Sequence, residues 1–185
     1  AVFSDTADHW AKQYIGVLAG MGIIDGMGNN IFAPENPLTR AQFVALLAKM
    51  TDGYSSAKIS DMGFTDVPTY EWYSSYVNWA AENGIVTGMG NGIFAPDAKI
   101  TREQMAVMLC NYAAYLQFSL PQNVTGVTFK DSGAISSWAT DYVMTAVGAG
   151  IINGYDTGDF KPAGMAKRSE AAAVIYKLCE IRGMI

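Results

Sequence analysis

The chain has 185 residues, half of them hydrophobic and only 16% charged, a composition that buries a core and excludes a disordered chain. A net charge of −5 excludes the electrostatic footprint of a nucleic-acid binder and disfavours a docking surface for anionic membranes. No apolar run reaches the length of a membrane-spanning helix, and the N-terminus AVFSDTADHW lacks a basic start and an apolar h-region.

In chain order, the first element is a Phe-x-Asp step, Phe3 and Asp5, leading to Trp10. From Trp10, apolar residues at Tyr14, Val17, Leu18 and Met21 keep helical spacing and predict a packed stripe. Gly22 followed by Ile23 fits a left-handed C′ glycine with an apolar C″ residue folding back. The turn GMGNNIFAP follows, anchored by Phe32 and Pro34. Thr39 with Gln42 forms a capping box at the start of a second helix, with Arg40 in its first turn. Phe43, Leu47 and Met50, at +3, +7 and +10 from that arginine, predict one buried side.

The same elements return twice. Phe64, Asp66, Trp72, Tyr76, Trp79, Ala80, Gly84 and Ile85 lead to the turn GMGNGIFAP, with Phe94 and Pro96. Thr101, Arg102 and Gln104 then open a helix carrying Met105, Leu109 and Tyr112. The third copy has Phe129, Asp131, Trp138, Tyr142, Gly150, Ile151, Phe160, Pro162 and Arg168, with Ala171, Ile175 and Leu178. Residues 1–53, 64–118 and 129–185 are the three copies, and 54–63 and 119–128 are linkers marked by Gly, Ser, Pro and Asn. No strand signal competes, so the fold class is mainly α. Neither helix pair can bury both stripes alone, which favours one closed, pseudo-threefold core over a linear solenoid.

The glycine turns do not cradle a nucleotide: a helix precedes them, and no Gly-Lys-Ser/Thr follows. His9 is the single histidine, so neither a metal cluster nor a catalytic triad is expected, and no cofactor. No carboxylate pair matches a glycosidase motif, and the chain reads as a non-enzyme. Cys110 and Cys179 sit in apolar helical contexts without a CxxC and read as buried thiols.

Arg40, Arg102 and Arg168 lie where the helix dipole disfavours a cation, so each calls for an anion. Two partners fit: an in-chain carboxylate, with Asp5, Asp66 and Asp131 as candidates, or an external anionic ligand. Both hold together if the Asp orients the guanidinium while its free N–H groups face a ligand carboxylate. Trp10, Trp72 and Trp138 read either as core or, beside the Asp loop, as half-exposed platforms for a sugar face. Gly26, Gly88 and Gly154 read as turn residues using positive φ, and as points of close backbone approach to a ligand.

Phe-x-Asp, Trp, a helix to G-I, a turn to F-x-P, then I/L-T-R-x-Q/E, with the third copy departing to A-K-R-S-E, recurs three times over essentially the whole chain and resembles the S-layer homology (SLH) family. The resemblance implies a pseudo-threefold α-helical bundle with three prongs separated by grooves. It implies non-covalent anchoring at the bacterial surface, in a larger extracellular protein, by binding an acidic cell-wall polysaccharide that carries pyruvylated N-acetylmannosamine. Peptidoglycan or another glycan without pyruvate is the alternative ligand, and self-assembly a third function. The resemblance implies a monomeric pseudo-trimer whose glycan-binding residues are Arg40, Arg102 and Arg168, Asp5, Asp66 and Asp131, Trp10, Trp72 and Trp138, and Gly26, Gly88 and Gly154. Each groove is expected to mix residues of two copies. The family's glutamate is Gln42 and Gln104 in copies one and two, and its frequent tyrosine is Met27 and Met89. Copy three keeps Tyr155 and Glu170 but reads Lys167 for the Thr cap, so a less well capped helix is expected there.

Overall fold

A computed structural model describes residues 3–56 and 59–185; the first two residues of copy one and linker residues 57 and 58 lie outside it. The described residues form six α-helices and no β-strand: α1 (Lys12–Gly20), α2 (Arg40–Lys49), α3 (Ser74–Glu82), α4 (Arg102–Tyr115), α5 (Thr140–Gly148) and α6 (Arg168–Ile181). The mainly α expectation holds. Among the described residues no helix is long and apolar enough to cross a membrane.

The second helix of each copy supplies the core. Phe43, Leu47 and Met50, Met105, Leu109 and Tyr112, and Ala171, Ile175 and Leu178 are all buried, as their spacing predicts. The first helices depart from the expected stripe. Helix α1 begins two residues after Trp10, which stands exposed, and Met21 at its far end is exposed too. Leu18 is buried as expected, and Ala11 and Ile15 complete the buried face in place of Trp10 and Met21. The C-terminal turn is as expected: Gly22 has φ 73°, its N–H reaches Ala19 O, and Ile23 N–H reaches Leu18 O, the paired bonds of a Schellman motif.

The copies interlock in a ring. Helix α2 packs on α3, α4 on α5, and α6 on α1, so each second helix meets the first helix of the next copy and the last copy meets the first. Near the helix starts the backbone closes the same circle. Leu38 N–H donates to Ala166 O at 2.9 Å, Ala166 N–H to Ile100 O at 2.9 Å, and Ile100 N–H to Leu38 O at 3.0 Å. The first N–H of each second helix is also satisfied by another copy: Arg40 by Ala98 O, Arg102 by Gly164 O, Arg168 by Asn36 O. A linear solenoid has no bond from its last repeat to its first.

Both capping boxes form: Thr39 and Thr101 hydroxyls accept from Gln42 and Gln104 N–H, and the glutamine side chains accept in return. At α6 half of the box survives. Lysine has no acceptor, but Glu170 Oε2 accepts from Lys167 N–H at 2.8 Å, so the loss of the threonine leaves the start partly capped.

Candidate functional site

The sites are built from the Asp steps upward. Asp5 lies in a 3-10 turn and takes two backbone N–H groups, Phe32 at 2.9 Å and Ala33 at 2.7 Å. Asp66 holds Phe94 and Ala95, and Asp131 holds Phe160 and Lys161, in the same way. Ala33, Ala95 and Lys161 have φ between 56° and 59°, a left-handed conformation that a side chain resists and that these clamps enforce. Burial pushes the Asp5 carboxyl upward, but the two N–H donors outweigh it and hold it below its ordinary value; Asp131 follows the same balance.

Each clamped peptide is gripped at its other end by an arginine from a different copy. Phe32 O accepts from Arg168 Nε at 2.8 Å, Phe94 O from Arg40 Nε at 3.0 Å, and Phe160 O from Arg102 Nε at 2.8 Å. Aspartate and guanidinium therefore polarise one peptide group from both sides, and no Arg–Asp ion pair forms among the described residues. The guanidiniums also lie over the Phe rings, 4.4 to 4.9 Å from the centroids. Arg40 and Arg102 are only 3% and 4% exposed. Burial draws the pKa of Arg40 and Arg168 below the ordinary guanidinium value, against the pull of nearby aspartates.

Three grooves result, each drawn from three copies, one more than expected. Groove I is lined by Gly26, Met27, Gln42 and Lys49 of copy one, Trp72 of copy two and Arg168 of copy three. Groove II joins Gly88, Met89, Gln104 and Asn111 with Trp138 and Arg40. Groove III joins Gly154, Tyr155, Glu170 and Lys177 with Trp10 and Arg102, and at about 530 Å³ it is the largest. The tryptophans are 54 to 59% exposed and so are groove walls. Asp5, Asp66 and Asp131 do not line the grooves; they sit behind them, seating the loops that the arginines grip.

The expected glycines are in place for a different reason. Gly26, Gly88 and Gly154 do not have positive φ; Gly28, Gly90 and Gly158 do. At Gly26 a Cβ would lie 2.5 Å from Phe3 Cε1 and 2.8 Å from Ile31 O, and the other two are closed by Phe64 and Phe129 likewise. Glycine is required by the phenylalanine of the Phe-x-Asp step, which packs against the turn.

The guanidiniums differ in what remains free. Each Nη2 reaches a turn carbonyl: Arg40 to Thr87, Arg102 to Asn153, Arg168 to Asp25. Arg102 Nη1 also donates to Glu170 Oε1 at 3.0 Å, and Tyr155 OH donates to the same oxygen at 2.5 Å. Burial and that carboxylate push the Tyr155 phenol up to about 12. Nη1 of Arg40 and of Arg168 has no partner among the described residues. Sequence reasoning missed Tyr155 with Glu170 as a bonded pair; its signal was the joint change of both positions in the other copies.

The profile of the S-layer homology domain matches this chain three times, at residues 2–44, 63–106 and 128–172. The chain belongs to the S-layer homology domain family. It is similar to the exoglucanase XynX of Acetivibrio thermocellus, 36% identical over 96% of this chain and 16% of that protein. It is similar to the cellulosome-anchoring protein of the same organism, 30% identical over 85% of this chain and 35% of that protein. The S-layer protein sap of Bacillus anthracis is 30% identical over 92% of this chain and 20% of its own length. The chain thus spans a minor part of each relative. As an SLH module it is a cell-surface anchoring module with a wall-associated location. Neither thiol lines grooves I to III; Cys179 is buried as expected, whereas Cys110 is only half-buried, and burial raises both thiols to about 11.

Proposed function

We propose that this SLH module is non-catalytic and attaches a larger surface protein to the cell wall by holding an acidic secondary wall polysaccharide in its inter-repeat grooves. The unit it recognises is a pyruvylated N-acetylmannosamine. The observation that carries this reading is the pairing, in grooves I and II, of a guanidinium with an unfilled Nη1 and an exposed indole lining the same groove. A ketal carboxylate takes the free N–H groups and the sugar face lies on Trp72 or Trp138. Gly26 and Gly88 let the turns seat on Phe3 and Phe64, which sets the turn backbone along the groove. Asp5, Asp66 and Asp131 position the arginines through the shared peptide rather than by touching the ligand. Several grooves on one module allow multivalent attachment to one polymer.

Isolated cell walls, before and after mild acid removal of pyruvyl ketals, test the reading. Binding is expected to disappear with the ketal; retention by treated walls points to peptidoglycan or another neutral glycan. In calorimetric titration with a synthetic pyruvylated monosaccharide, Arg40→Ala is expected to cost about 1.5–3 kcal/mol at its groove. If that variant loses only folded fraction, with the surviving protein binding normally, the arginine is structural.

A further inference from the structure

The grooves share one plan but not one charge. Groove II holds Arg40 and no carboxylate. Groove I holds Arg168 and Lys49 against Asp25, and Asp25 is occupied by Lys49. Groove III holds three cations, Arg102, Lys167 and Lys177, and three carboxylates, Glu35, Asp156 and Glu170. Glu35 pairs with Lys167 and His9, and Glu170 with Arg102.

The decisive difference is a coupled exchange at two positions. In groove III the Glu170 carboxylate sits on the guanidinium and is itself held by the Tyr155 hydroxyl and Lys167 N–H. In grooves I and II the glutamate has become Gln42 and Gln104, which carry no charge, and the tyrosine has become Met27 and Met89, which carry no hydroxyl. Both members of the in-chain anion site are gone together. A ligand carboxylate fills empty donors in grooves I and II, whereas in groove III it must displace a carboxylate already bonded three ways.

We propose that Glu170 sets ligand preference: an acidic glycan unit fills grooves I and II and binds groove III about tenfold more weakly, leaving that groove to uncharged sugar. This rests on the acidic-glycan reading above. It assigns the three sites different ligands on one polymer.

The test follows the ring ¹⁵N–H signals of the four tryptophans in the full chain during titration with pyruvylated N-acetylmannosamine and with its uncharged methyl ester. Trp138 reports groove II, Trp72 groove I, Trp10 groove III, and buried Trp79 checks the fold. The acid is expected to shift Trp138 and Trp72 at concentrations about tenfold below those that shift Trp10, and the ester to erase that difference. Glu170→Gln keeps the cap bond that Gln42 and Gln104 make, and is expected to bring Trp10 into the range of the others. Gln104→Glu is expected to weaken the Trp138 site about tenfold. Three equal acid sites, or a Trp10 site unchanged by Glu170→Gln, overturn the ranking and leave the acidic-glycan reading standing. No response from any groove indole overturns both.

Discussion

At the scale of the residue, Ser169 shows how three equivalent positions solve one problem differently. Glu103 spends its carboxylate on Ser136, accepting from N–H at 3.0 Å and from the hydroxyl at 2.9 Å. Ala41 has nothing to satisfy, and Ser169 Oγ is fully buried with no partner among the described residues. A buried hydroxyl without a hydrogen bond costs about 1–3 kcal/mol of desolvation. Ser169→Ala, which copies position 41, is expected to stabilise the fold by about 1 kcal/mol and raise Tm by about 2–4 °C in calorimetry. An unchanged or lower Tm means the hydroxyl finds water. The glycines teach a related lesson: their identity was readable, but its cause was not. A turn glycine suggests positive φ, while at Gly26 the constraint comes from Phe3, far back in the chain, and only packing shows it.

At the scale of the element, the helix starts separate what is local from what is not. The Thr–Gln boxes were legible because every partner lies within three residues. So was the buried face of α2, α4 and α6, where one period runs through the element's middle. Trp10 and Met21 escaped because helical spacing says nothing about which end of a stripe lies beyond the packed region. The caps also predict unequal stability. Thr101→Ala removes a hydroxyl that accepts Gln104 N–H and is expected to cost about 1 kcal/mol. Lys167→Ala removes no acceptor and only an exposed pair with Glu35, so about 0–1 kcal/mol is expected, vanishing at high salt. Urea unfolding of both variants at low and high salt checks this; equal losses at high salt would mean that the lysine packs rather than pairs.

At the scale of the whole molecule, the site was half legible because the ring order is a property of the assembled chain. The arginines, tryptophans and glycines singled out in the sequence line the candidate grooves, yet nothing local says that Arg168 belongs with Gly26 and Trp72. Those partners meet because α6 packs on α1 and α2 on α3. The same closure governs how the protein is lost in acid. Asp5 joins copy one to Arg168 of copy three through the Phe32–Ala33 peptide, and Asp131 joins copy three to Arg102 of copy two. Both carboxyls are held below their ordinary 3.8 in the folded chain, so each contributes stability that is complete above that value. The contribution fades as pH falls through the lower folded pKa, loosening two joints of three at once. Because a ring with open joints leaves each helix pair with an unburied stripe, no single copy is expected to persist. Acid titration should give one cooperative transition below pH about 3.8, with far-UV and near-UV circular dichroism coincident. A far-UV signal that survives while near-UV is lost copy by copy would mean that the repeats are stable units and the ring only tethers them.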